Sequence, residues 1–430
     1  MNKALLFLGG ILLASGLRAQ SVPVPAPAQA RPILLRGGIL HPGDGSAPVP
    51  GDLLLVGGKI QAMGSIPTVP DNTDIVELGG KHVYPGLIAT NTSLGIEEVE
   101  AVRATVDRQE PGDFNPNMRT LIAYNADSRV TPTVRSNGVL LAQVVPQGSL
   151  FAGTSSVVQL DAWTWEQAAY RADDAVHLYW PNMQLSNSRF APPAEEQKKR
   201  MGEQLDKIGQ AFAEARAYAT AKQAGTLKQT DQRWEAMLPV LDKSRPIWVH
   251  ATSERQIRAA IALASAQGVR MVLVGGADAW LLVDLLKRHD IPVVLQPTQS
   301  LPRTDDDDID QPFKTARILH DAGILVALSG DGFWRQRNLP FLAGTAVTGG
   351  ISPEVALAMI SSHPARILGV EGRTGSLAVG KEANVIVSQG DLLDMRSSVL
   401  TWACIQGRVI DLGNHHEDLY KKFKQRYGMP

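Results

Sequence analysis

The chain has 430 residues, 44% hydrophobic and 20% charged. It can bury a large core, in two or three domains or around one barrel of about 250 residues. A net formal charge of −1 leaves no overall electrostatic footprint for nucleic acid or for an anionic membrane surface. The single cysteine, Cys404, excludes an internal disulfide and any cysteine-based metal motif; within the apolar run 399–405 it reads as a small buried hydrophobe.

Residues 1–20 have the layout of a secretory signal. Lys3 supplies the positive end and Ala4 to Gly16 the apolar stretch, shorter than the roughly 20 helical residues that span a bilayer. Leu17-Arg18-Ala19 before Gln20 offers a cleavage site. An exported protein, periplasmic or extracellular, is expected, with a mature charge of about −3 once Lys3 and Arg18 are gone. An uncleaved anchor is the other reading of the same stretch. Residues 21–31, rich in Pro, Val and Ala, read as a tether.

From Ile33 to Leu78 short strand-like runs (33–35, 52–56, 59–63) alternate with glycine-rich turns, leaving no room for a helix. The same texture returns near the C-terminus, where Gly375 to Val387 reads as a turn and a strand, and 399–404 with 407–410 as a hairpin. Between the two ends, strand-like and helix-like stretches alternate, which argues for parallel α/β. Ile247-Trp248-Val249-His250 is a short strand. Ser253 and Gln256 then form a capping box, Ile257, Ala260, Ile261 and Ala264 an apolar stripe, and Gly268 a stop. Strands follow at 271–274, 291–295 and 324–328, with helices from Asp278, over 312–322, and from Ser352-Pro353. In the middle, 138–146, 156–160 and 175–180 are strand candidates, and 194–225 is a long amphipathic helix with Met201, Leu205, Ile208 and Phe212 on one face.

The run from Lys81 to Gly95 organises the chain. Val83-Tyr84-Pro85-Gly86-Leu87-Ile88-Ala89-Thr90-Asn91-Thr92-Ser93-Leu94 resembles the first barrel strand of the amidohydrolase superfamily, in its imidazolonepropionase-like branch, where the pattern is roughly V-x-P-G-L-I-D-x-H-x-H-L. Gly375 to Val387 resembles the family's G-S-I-x-x-G-K-x-A-D-L-V-V, and 338–340, 351–357 and 364–370 resemble its last barrel segments. The resemblance implies a (β/α)8 TIM-like barrel over 85–374, a discontinuous β-sandwich built from 32–84 and 375–412, and a tail over 413–430. It also implies a metal-dependent hydrolase of C–N bonds. The two metal-binding histidines of the family pattern fall on Asn91 and Ser93, and its Asp on Ala89.

Two positions keep family chemistry. Asp331 ends the eighth barrel strand, where the resemblance implies a metal ligand that moves a proton from the attacking water to the leaving group. His250 ends the fifth strand, where it implies a metal-binding or carbonyl-polarising imidazole. Their bland readings are a turn Asp before Gly332 and a hydrogen-bonded strand-end histidine. His177 is a third candidate ligand, or a satisfied core histidine. Asn91-Thr92-Ser93 is a glycosylation sequon in a poor setting. The acidic run 305–308 with Asp310 reads as a calcium candidate or a solvated loop, and His415-His416 as a surface helix end.

Two functions are therefore expected to compete. The first is an exported amidohydrolase-type hydrolase of small amide or dipeptide-like substrates, with one divalent metal, zinc foremost, held by His250, Asp331 and His177. The second is a pseudoenzyme of the same fold, acting as a binding protein or as partner of an active paralogue. A homo-oligomer is compatible with either; nucleic acid and stable membrane insertion after signal cleavage are not expected.

Overall fold

A computed structural model describes residues 24–303 and 306–429, so the signal-like segment, the start of the tether and Asp305 lie outside the described residues. The glycine-punctuated N-terminal runs pair as expected. Strands β1 (Ile33–Leu40), β2 (Val49–Val56) and β3 (Lys59–Gly64) form an antiparallel meander. β1 also pairs in parallel with β4 (Asp74–Glu77) and with β5 (His82–Pro85).

A single residue, Gly86, separates β5 from β6 (Leu87–Thr92), the first strand of a second sheet. That sheet continues in chain order through β7 (Val139–Val144), β8 (Leu150–Gln159), β9 (Ala169–Tyr179), β10 (Ile247–Ala251), β11 (Met271–Gly275), β12 (Val293–Leu295) and β13 (Val326–Leu328). β11, β12 and β13 are apolar and buried on both faces, whereas β8 and β9 carry buried polar residues such as Ser155, Asp174 and His177. Helices Glu254–Gln267 and Gln311–Asp321 cross between parallel strands in the later half. The first starts with the Ser253/Gln256 capping box and stops at Gly268, whose φ of +62° suits glycine.

The eight strands nearly close into a barrel. β6 and β13 do not pair directly. Met359 and Ile360 bridge the seam, with Leu328 N donating to Met359 O (3.0 Å) and Ile88 N to Ile360 O (2.9 Å). The expected all-parallel order fails at one place: β8 runs antiparallel to both β7 and β9. Only short connections join these three strands, too short for the crossover of a dozen or more residues that parallel neighbours need.

β14 (Val385–Ser388), β15 (Leu400–Ile405) and β16 (Arg408–Val409) then return to the first sheet, where β14 pairs antiparallel with β5. The expected sandwich is one curled sheet, ordered β16-β15-β14-β5-β1-β2-β3. At its far edge Ile60 exchanges backbone bonds with Gly380 and Lys381, and Leu35, Leu53, Val83, Val385 and Cys404 fill its own core. Burial pushes the Cys404 thiol up to about 12, so it is inert packing.

Candidate functional site

Strand polarity puts one end of each parallel strand at the same mouth of the barrel. Tyr179 ends β9, His250 lies one residue from the end of β10, and Asp331 sits three residues beyond β13. The reversed strand β8 starts at this mouth, so the β7–β8 turn delivers Gln147 and Gly148 there. The long segment after β6 adds Gln109, with Gln147 N donating to Arg108 O at 2.7 Å. Asn91, Gln109, Gln147, Gly148, Tyr179, His250 and Asp331 line an open cleft of about 300 Å³.

His177 and His250 are brought together. His177 is fully buried below the cleft, and its Nδ1 lies 2.9 Å from His250 Nε2. Tyr179 stacks on the His250 ring at 3.9 Å and 10°, and its hydroxyl donates to Pro146 O at 2.9 Å. The buried His177 Nε2 has no hydrogen-bond partner among the described residues. An N–H orphaned there would be costlier than a lone pair, so the His177 proton belongs on Nδ1 and is donated to His250 Nε2. His250 then carries its own proton on Nδ1, for which no hydrogen-bond partner stands among the described residues, and its ring lines the open cleft. Burial pulls His250 down to about 3 and lowers His177 as well, so both rings are neutral. His250 thus offers the cleft an N–H donor.

The positions where the family pattern puts histidines do other work. Asn91 has φ +53°, a left-handed conformation that Asn tolerates better than most residues, and its N–H donates to Gln143 Oε1. Ser93 is buried and donates to Glu97 Oε2 at 2.9 Å, while Arg108 pairs with the other oxygen of Glu97. Deeper still, Asp174 accepts from Ser155 Oγ and Gln143 Nε2, both at 2.8 Å; its own burial raises it to about 6. Asp331 also has positive φ (+58°), with its N–H directed to Ser329 Oγ at 3.3 Å.

Sequence reasoning singled out His177, His250 and Asp331 and missed Tyr179, Gln147, Glu97, Arg108 and Asp174. Tyr179 was within reach of it, since a strand-end residue beside His250 in register faces the same mouth. The other candidates lie elsewhere. Lys314 pairs with Asp308 and Asp310, and Arg303 spends its guanidinium on Asp278, away from the cleft. His416 stacks on Trp334 at the start of a C-terminal helix.

The sequence pattern of the amidohydrolase family matches residues 152–407. Amidohydrolase tasK of Hapsidospora irregularis is 29% identical over 141 residues, a match that spans 29% of this chain but only 14% of that protein. The structure of an amidohydrolase from Thermotoga maritima MSB8 superposes with a TM-score of 0.79 at 25% identity, covering 88% of this chain and 99% of the other. A Xaa-Pro dipeptidase with bound methionine shares the fold at 14% identity and a TM-score of 0.54, over 88% of this chain and the whole of the other.

Members of the matching family usually carry a divalent metal. The residues of this cleft do not fit one. Among the described residues no group of three or more His, Cys, Asp or Glu is placed to hold a metal ion. A zinc centre takes about three protein ligands plus an open position. Asn91 and Ser93 are poor ligands, His177 spends its Nδ1 on His250, and His250 turns an N–H toward the cleft.

Proposed function

The chain belongs to the amidohydrolase family, and on that premise we propose that it is an exported hydrolase of C–N bonds in small amide or dipeptide-like substrates, acting at the barrel-mouth cleft. One observation carries this reading: a neutral, hydrogen-bonded His250 shares that cleft with the carboxylate of Asp331. Neutral His250 donates Nδ1–H to the substrate carbonyl oxygen and so stabilises the negative charge that develops there. Asp331 accepts the proton of an attacking water and returns it to the leaving nitrogen. Asn91, Gln109 and Gln147 offer amide donors and acceptors that suit a peptide-like backbone.

A second reading, a ligand-binding protein without turnover, is favoured by the Asn91 and Ser93 replacements and by the Glu97–Arg108 pair beneath them. One experiment separates the two. The purified protein is dialysed against a chelator and assayed for amine release on a panel of dipeptides and cyclic amides, beside Asp331→Asn and His250→Phe. Chelator-resistant turnover, lowered about 100-fold or more in each variant, is the result expected of the hydrolase. No turnover, together with saturable binding of the same compounds, supports the binding protein.

A further inference from the structure

A net charge of −1 conceals a local patch at the C-terminus. The helix His415–Arg426 has 12 residues, and none of them is buried. Asn414 caps its first turn, and Trp334 stacks on His416 with ring centroids 5.5 Å apart and planes at 9°. A helix this short is marginal in water without tertiary packing. Its sequence nonetheless has the pattern of a helix that buries a face. His416, Leu419, Tyr420, Phe423 and Tyr427 recur at i, i+3, i+4, i+7 and i+11, a stripe about 100° wide. Tyr420, Phe423 and Tyr427 are 60%, 46% and 67% exposed, and Met429 beyond them 57%, so the second half of the stripe is uncovered.

The remaining faces of its second half are basic. Lys421, Lys422, Lys424 and Arg426 flank the stripe, and both acids of the helix, Glu417 and Asp418, lie in its first turn. Lys421 reaches Glu417 at 4.0 Å, whereas Lys422, Lys424 and Arg426 have no carboxylate partner among the described residues. Instead Lys422, Lys424 and Arg426 lie 6.0, 6.0 and 5.9 Å from the ring centroids of Phe423, Tyr420 and Tyr427. An aromatic stripe bordered by unpaired cations matches an anionic lipid surface: rings enter the headgroup layer while ammonium and guanidinium groups meet phosphate. We propose that residues 415–429 form an interfacial anchor that lies on anionic phospholipid bilayers. The helix root rests on Trp334, a residue three positions after Asp331.

Amide hydrogen exchange, read by mass spectrometry on peptides from 415–429 of the full chain, tests this. Vesicles of mixed phosphatidylglycerol and phosphatidylcholine should slow exchange in this segment by about tenfold or more. Pure phosphatidylcholine should not, and salt at about 0.5 M should reverse the effect. The protection should vanish in Lys421→Glu/Lys422→Glu/Lys424→Glu and in Phe423→Ser/Tyr427→Ser, while the barrel peptides exchange as in the wild type. Exchange unchanged by anionic vesicles would overturn the proposal. Protection that instead rises with protein concentration in the absence of lipid would overturn it in favour of a second copy of the chain as occupant.

Discussion

Asp161 holds Arg408 across the boundary between the barrel and the curled sheet, Oδ2 to Nη1 at 2.8 Å, while its other oxygen holds Arg135 at 2.5 Å. Asp161 and Arg135 are both nearly excluded from water, and the backbone N–H of Ala26 also donates to Asp161 at 2.9 Å. One carboxylate therefore joins the N-terminal segment, β16, the end of β8 and the helix that carries Arg135. Asp161→Ala leaves a buried guanidinium without its counter-charge, and the expected loss is about 3–5 kcal/mol in urea unfolding. Arg408→Ala should cost much less, about 1 kcal/mol, because Arg135 still neutralises Asp161 and Arg408 is the more exposed partner. Equal losses in the two variants would show that the carboxylate is not the hub.

Stability should depend on pH through groups that act in opposite directions. His250 is held near 3 by burial, below the ordinary value of about 6.5. Unfolding lets it take up a proton, so its contribution is complete above about pH 6.5 and drains as pH falls toward 3, reaching about 2 kcal/mol lost by pH 5. His177, also lowered, acts in the same direction. Asp174 acts in the opposite sense: raised to about 6, it binds its proton more tightly in the fold, and stability returns as pH falls from about 6 to 4. The two slopes offset each other in that window. Asp174→Asn removes the second, so its urea midpoint should fall more steeply than that of the wild type between pH 6 and 4. Parallel curves would refute the assignment of these groups.

The later half of the barrel was legible because its signals are local. The Ser253/Gln256 box, Gly268 and Ser352-Pro353 stand in the structure as caps and stops where the pattern puts them. The two end segments that share one sheet were legible only as matching textures plus the family resemblance. The reversed strand β8 was missed because β-propensity carries no direction. Chain length did carry it, since neither the β7–β8 nor the β8–β9 connection has the roughly dozen residues that a parallel crossover needs. At the site, His250 and Asp331 could be placed from strand ends, and the His177 contact was open as one of two readings. Glu97 and Arg108 could not be found, because they come from the long irregular segment after β6, which has no periodicity to fix its path.

Zinc content gives a direct test of the donor set. The wild-type protein, incubated with zinc and dialysed, should retain well under one equivalent by mass spectrometry, in keeping with about three protein ligands being needed. Asn91→His with Ser93→His supplies two imidazoles at the end of β6, the first on the cleft with His250 and Asp331, and this double variant should retain about one equivalent. Its cost is the Ser93–Glu97 hydrogen bond, which leaves Glu97 to Arg108 alone. About one equivalent in the wild type, lost in both Asp331→Ala and His250→Ala, would overturn the metal-free reading.

The tautomer of His250 is the most exposed point of the proposed chemistry, and it can be read without a substrate. Nitrogen-15 spectra of histidine-labelled protein distinguish a protonated ring nitrogen from a bare one. His250 should show a protonated Nδ1 and a bare Nε2, because Nε2 accepts from His177 Nδ1. His177→Phe removes that donor at similar bulk, so the Nε2-protonated tautomer should appear and compete. His177→Gln restores an N–H donor and should recover the wild-type pattern. If the chain hydrolyses amides, kcat should follow the tautomer, falling about tenfold in His177→Phe with KM little changed and recovering in His177→Gln, because His177 acts only through the orientation of His250. A His250 spectrum identical in the wild type and His177→Phe would remove the reason for placing a donor in the cleft.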